Sequence, residues 1–135
     1  MASDNGTSSS VASAHRRPLR VDRYIDKFLD AACDSSRRSI LELLIPPNGQ
    51  DSPDGYELRA GEIAHQLGLA PSTTSEHLHQ LLKLQLVSAR KEGTVVYYRL
   101  RNIHLVRAFH EMLKALETHY NTNGSPLERS GSAPG

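Results

Sequence analysis

Four short hydroxyl side chains stand in a row at Ser72, Thr73, Thr74 and Ser75, directly behind Pro71 and ahead of Glu76, His77, His79 and Gln80. Further along the chain, Arg90, Lys91 and Thr94 surround a Glu92-Gly93 pair. Small hydroxyls at the front of a helix let its backbone approach base edges in the DNA major groove, and the open amides of a helix N-terminus attract a phosphate. Cations on a neighbouring hairpin can reach the DNA backbone or the minor groove. The sequence has no phosphate-cradling glycine loop, no paired-carboxylate motif and no nucleophile with a recognisable base. Its residues therefore offer recognition and not catalysis.

Each of these residues also has a plainer reading. Taken alone, Ser72, Thr73 and Thr74 are a first helical turn satisfying its own amides, a frequent use of such side chains. Their place between Gly68 and a basic hairpin tips the reading toward DNA. Glu76 repels phosphate, so it either accepts from a cytosine N4 amino group or is a solvated residue that trims non-specific affinity. The two readings carry equal weight. His77 lies at the border of the helix and reads as a structural member packed beneath it, with a phosphate as its other candidate partner. His79, Gln80 and Lys83 point outward at increasing distance from the N-terminus, and Lys83 reads as solvated.

The elements that must hold these residues follow from periodicity. Val21, Ile25, Phe28, Leu29 and Ala32 recur at helical spacing. Asp34 is placed to cap a second helix with Ile40, Leu41 and Leu44 inside, stopped by Pro46-Pro47. The stretch NGQDSPDG, residues 48–55, has no apolar period and reads as a tolerated surface insertion. A third helix with Ala60, Ile63, Ala64 and Leu67 inside ends at Gly68, where a left-handed cap belongs, and Leu69 packs back on it. Pro71 opens a fourth helix behind Ala70, a weak cap. Thr74, Leu78, Leu81 and Leu82 are its inner face.

Beyond Leu86 the period becomes two, Glu92-Gly93 supplies a hairpin turn, and Thr94 to Tyr98 has strand composition. A last helix from about Asn102 to Tyr120 carries Leu105, Val106, Phe109, Met112, Leu113, Leu116 and Tyr120. That stripe is wide enough to cover its own core and still face a partner. The expected architecture is mainly α with a small β-hairpin: a winged helix-turn-helix of about five helices plus a two-stranded wing. Residues 1–20, which end in Arg16, Arg17 and Arg20, and residues 121–135 read as disordered tails around a domain at 21–120.

Bulk composition bounds the function. The chain has 135 residues and a formal net charge of +1, so nucleic-acid binding must rest on local patches. Its single cysteine, Cys33, excludes an intrachain disulfide. No apolar run approaches a membrane span, and the first residues lack a signal-peptide core, so a cytoplasmic protein with no membrane partner is expected.

Three motifs in order resemble the ArsR/SmtB family of bacterial repressors. CDSSRRSILELL resembles the start of that family's second helix, with Ser35 where a proline is usual. GEIAHQLGLAPSTTSEHLHQLLKLQLV resembles its helix-turn-recognition helix, and ARKEGTVVYYRL resembles its wing, including the Tyr-Tyr-Arg-Leu ending. The match spans about residues 21 to 120. The resemblance implies a homodimer paired through the first and last helices. It would bind an imperfect palindrome in a double-stranded DNA operator and repress transcription until a small-molecule, metal or redox effector releases it. On this reading the operator contacts come from Pro71 to His77, His79, Gln80, Arg90, Lys91 and Thr94. Arg90 serves there as a phosphate contact. The rival is a winged-helix protein-interaction module without sequence-specific DNA binding, supported by Glu76 and the low net charge.

The family's thiolate-type metal site uses cysteines at the start of the third helix, where this chain has YELRAGEIA. Its zinc-type site falls here on Asn102, His104, Ala115 and Thr118, of which only His104 is a good ligand, and one imidazole makes no tight zinc site. His110, Glu111, Glu117 and His119 stand nearby without forming an i, i+4 ligand pair. His104 and Glu111 share a face but lie roughly 10 Å apart by helical rise. An antiparallel partner helix could still bring His104 and Glu111 together, which keeps His104, His110, Glu111 and His119 as the alternative metal candidates. Otherwise these residues read as surface side chains, and no metal or other cofactor is expected to be required. Cys33 adjoins a helix N-terminus, which favours a thiolate, while Asp34 opposes it. As a continuation of the Ile25 and Leu29 stripe, Cys33 reads as a buried structural residue, with a redox or electrophile sensor as the alternative.

Overall fold

The computed structural model of the protein describes residues 16–47 and 55–124. Most of the 48–55 loop and the outer parts of both expected tails lie outside the described residues.

Helix α1 spans Leu19–Ala32. It starts slightly ahead of the apolar stripe because Pro18, already held near helical φ, offers its carbonyl to the N–H groups of Val21 and Asp22 at 2.9 and 3.1 Å. Helix α2, Ser35–Leu43, is capped as expected: Asp34 Oδ2 accepts from the Arg37 N–H at 2.9 Å. That N–H is the main cause holding the Asp34 carboxyl below its ordinary value.

A short strand β1, Leu58–Arg59, leads into α3, Ala60–Leu67. Gly68 closes α3 at φ 65°, and the Leu69 N–H returns to the Ala64 carbonyl at 2.9 Å, the bond pattern of a Schellman cap. Helix α4, Pro71–Lys83, has no side-chain cap at Ala70. It closes with the same bond pattern, but Gln85 instead of a glycine takes the left-handed position, at φ 59°. The Leu86 N–H reaches the Leu81 carbonyl at 3.0 Å.

Strands β2, Val87–Glu92, and β3, Val95–Leu100, form the hairpin. Glu92 pairs with Val95, so the turn residues are Gly93 and Thr94 and not Glu92-Gly93. Gly93 has φ 64° and Thr94 does not share a positive φ, the signature of a turn that needs glycine first. The expected two-stranded wing is present as β2 and β3, and a third strand joins it. The sheet has three antiparallel strands in the order β1-β3-β2, with Leu58 opposite Tyr98 and Arg59 opposite Tyr97. Helix α5, Ile103–Asn123, runs past Tyr120 and is capped by Asn102 Oδ1 on the Leu105 N–H at 3.1 Å.

Ile40, Leu41 and Leu44 meet Ile63, Leu78, Leu81, Leu86, Val87, Leu100 and Val106 in one core. Helix α1 buries only Ala31 and Ala32 fully and joins α5 through an edge-on contact of Phe28 with Phe109, centroids 5.3 Å apart. Large apolar side chains on these two outer helices stay exposed, among them Leu19, Tyr24 and Leu29 on α1 and Met112, Leu116 and Tyr120 on α5. None of the described helices is long and apolar enough to cross a membrane.

Candidate nucleic-acid interface

Helix α4 is pinned by a buried line of Thr74, Leu78 and Leu81, spaced i, i+4 and i+7. That line turns Ser72, Glu76 and His79 directly outward, flanked by Thr73 and Gln80 on one side and Ser75 on the other, all exposed. Pro71 is exposed at the first helical position. The helix therefore presents a polar face whose first turn carries short hydroxyls and free amides.

Two of the expected contacts are withdrawn from this face. Thr74 is fully buried, and its Oγ1 donates to the Ala70 carbonyl at 3.0 Å. Its place on the helix takes it into the core despite its hydroxyl, so it cannot meet a base. His77 is mostly covered, with Nε2 3.8 Å from Asp34 Oδ2, so it faces the α2 cap and not the outer face of α4. Gln80 is exposed, but its Oε1 accepts from Arg37 Nη1 at 2.8 Å. Arg37 Nε also donates to the Ala31 carbonyl at 2.6 Å, so one guanidinium ties α1, α2 and α4 together. Nothing in the local sequence singled out Arg37.

The wing brings the main correction. Arg90 is not a free cation. Its Nε lies 3.1 and 3.2 Å from the two Glu57 oxygens, its Nη2 donates to Glu57 Oε1 at 2.8 Å, and its Nη1 donates to Glu92 Oε2 at 2.8 Å. The guanidinium also lies 4.8 Å from the Tyr97 ring centroid. Hydrogen bonding from Arg90 holds the Glu57 carboxyl below its ordinary value, and Glu57 followed by Glu92 pushes the Arg90 pKa far above its own. Glu92 was legible at i+2 on the same strand face. Glu57, which lies 33 residues away in sequence, was not. Lys91, opposite Val96, points to the other face; it is exposed with no hydrogen bond or ion pair to a described residue, and Thr94 is exposed at the tip. Arg16, Arg17 and Arg20 are exposed before and at the start of α1.

The candidate ligands on α5 do not converge. His104 is exposed, His110 Nδ1 pairs with Glu42 Oε2, Glu111 lies 3.6 Å from Lys114, and the ring of His119 faces Asn123 at 3.1 Å. Among the described residues no three His, Cys, Asp or Glu side chains are grouped to hold a metal. Cys33 is exposed, against the buried position expected. It is the C-cap of α1, where the chain leaves the helix and the stripe no longer directs the side chain inward.

A helix-turn-helix of α3 and α4, followed by a hairpin whose outer strand packs beside them, defines a winged helix-turn-helix protein. The model of the bacterial regulatory protein, arsR family, matches residues 54–89. The transcriptional repressor SdpR of Bacillus subtilis is 30% identical over 83 residues, 62% of this chain and 82% of that protein. YdfF, an HTH-type transcriptional regulator of the same organism, is 35% identical over 89 residues, 66% of this chain but only 36% of the relative. Among solved structures, the homodimeric winged helix-turn-helix DNA-binding domain of a possible ArsR-family transcriptional regulator from Mycobacterium bovis is similar. It has 28% identity and a TM-score of 0.62, with 76% of this chain and 87% of that one covered. The chain belongs to the ArsR family of bacterial regulatory proteins, whose members named here are transcriptional regulators and not enzymes.

Proposed function

We propose that the protein is a homodimeric, sequence-specific repressor that acts on double-stranded DNA in the cytoplasm and is released by an effector. The observation that carries this reading is the α4 face itself. Ser72, Thr73, Ser75, Glu76 and His79 are exposed over a buried line that leaves the helix no freedom to roll. Lys91 and Thr94 at the hairpin tip supply the second contact, with the phosphates. The dimer is supported by the uncovered apolar residues of α1 and α5. Leu29 and Leu116 are 51% and 56% exposed, and a second copy of the same face covers both stripes with one isologous contact.

The clamped Arg90 and the exposed Glu76 favour a second reading, a winged-helix module that docks on a protein partner instead of DNA. Selection from a random duplex library, followed by fluorescence anisotropy at physiological salt, separates the two. A selected duplex bound ~10³-fold or more above a scrambled one is the repressor outcome. A library that enriches no sequence sinks the DNA reading. A reporter driven from the selected duplex then gives the sign of regulation, with derepression on deletion of the protein expected.

A further inference from the structure

At the root of the wing, at the opposite end of β3 from the turn, a cavity of about 330 Å³ opens between the end of α2, the sheet and the start of α5. Leu44, Pro46, Leu100 and Ile103 wall it with carbon, and Arg99 and Arg101 line it with charge. Neither guanidinium has a hydrogen bond or ion pair to a described residue. The Arg99 side chain is seated against the Gly55 backbone so closely that a Cβ on Gly55 would stand 2.7 Å from Nη1. Glu57, the carboxylate whose pKa Arg99 helps to lower, is already held by Arg90. Among the described residues, the two arginines therefore face the cavity without an acid paired to them. A strand rise of about 3.3 Å per residue sets Arg99 roughly 16 Å back from Thr94 at the wing tip.

Unpaired guanidiniums over an apolar wall are the complement of an organic anion, because the planar fork takes a carboxylate or phosphate while carbon covers the rest of the ligand. We propose that this cavity binds a small organic anion, a carboxylate or phosphate carried on an apolar body about the size of benzoate. The cavity touches the sheet and the start of α5 together. An occupant therefore bears on the angle between the wing and the outer helices that form the proposed dimer. The binding site stands independently of the DNA reading, whereas its use as the effector site rests on that reading.

The test uses the free full-length chain, isotope-labelled for amide NMR, titrated with benzoate, phenyl phosphate and hexanoate. Benzamide serves as the neutral counterpart of benzoate. At least one anion should give saturable shifts at the Gly55, Ser88, Leu100 and Ile103 amides. Benzamide should bind about tenfold or more weakly than benzoate, the worth of one charge-assisted hydrogen bond. Arg99→Gln and Arg101→Gln, both at exposed positions, should each lose a similar factor while keeping the rest of the spectrum. No saturable shift from any of the three anions, or equal responses to benzoate and benzamide, overturns the proposal. Because no DNA is present, failure here is separate from failure of the repressor reading. Adding the bound anion to the protein–duplex complex then tests the effector role: release supports it, and unchanged anisotropy refutes it.

Discussion

Replacing Glu57 with Gln should strengthen DNA binding, because it removes the carboxylate that holds the wing's arginine. In the native wing a phosphate oxygen has to displace Glu57 from Nε and Nη2 of Arg90, and Glu92 from Nη1. Two carboxylates against one guanidinium leave this cluster with a single net negative charge. Glu57→Gln leaves it neutral, and the Glu57→Gln/Glu92→Gln pair leaves it positive. Each further phosphate neutralised steepens the fall of log affinity with log salt by about 0.9. Between roughly 50 and 200 mM salt that slope is an additional loss of about 3.5-fold. Anisotropy titrations of the wild type, Glu57→Gln, the double variant and Arg90→Ala across that range read it directly.

The double variant should bind more tightly at low salt on every duplex, with the slope steeper by about 0.9, and Glu57→Gln should fall between it and the wild type. Arg90→Ala should weaken binding by exposing two unpaired acids while keeping the wild-type slope. A flattened slope in Arg90→Ala, together with an unchanged one in Glu57→Gln, would show that Arg90 already sits on a phosphate in the complex and would refute the argument. The pH dependence follows with its sign. Arg90 depresses the folded-state pKa of Glu57 below its ordinary 4.5. The pairing is therefore complete above that ordinary value and is lost only as pH falls through the lower one. The difference in slope between wild type and Glu57→Gln should accordingly stay constant from about pH 5.5 to 8, a range in which Glu57 remains charged.

Leu116→Ala removes a half-exposed side chain from each copy of the proposed dimer face, roughly 1 kcal/mol per protomer. Sedimentation should show the dimer dissociation constant raised about 30-fold, and an unchanged constant would move the interface off α5. Thr74→Val deletes the hydroxyl bond to the Ala70 carbonyl and should cost about 1 kcal/mol, several degrees of Tm, without altering the preference between duplexes. Thr73→Ala and Ser75→Ala should do the reverse, keeping Tm and lowering discrimination. Gln85→Gly relieves a side chain from a left-handed backbone at φ 59° and should stabilise the protein by about 0.5–1 kcal/mol. A loss of stability in urea melts would mean that Gln85 makes a compensating contact.

Periodicity carried the fold, because burial repeats along a helix or strand and is written locally. Ile40 with Leu44, Ile63 with Leu67, and Leu78 with Leu81 announced three helices whose buried faces the structure shares in one core. Strand β1 escaped because two residues, Leu58 and Arg59, hold no period. The site was legible to the same extent and failed for the same reason. Where position on the helix decides, as for Ser72 and His79, the outward face could be read. Thr74 shows that position outranks side-chain type, since a hydroxyl on the buried line serves the core. Charge pairing is not local: Arg90 on β2 looks free until the sheet brings Glu57 to it from the segment ahead of β1.

That correction changes the energetics expected of recognition. With Arg90 neutralised by its neighbours, Lys91 is the wing-tip cation left among the described residues, and the formal net charge of the chain is only +1. Non-specific affinity, which comes almost wholly from phosphate neutralisation, should therefore be low. On the proposed reading the hydroxyls and His79 on α4 would meet base edges, a contribution that does not depend on counterion release. Low background with an intact reading face raises the ratio of specific to non-specific binding, which is the quantity that matters against a genome of competing sites. On the proposed repressor reading, the acids around Arg90 and the exposed Glu76 would suppress the sequence-independent part of the affinity and leave discrimination to the short polar side chains at the front of α4.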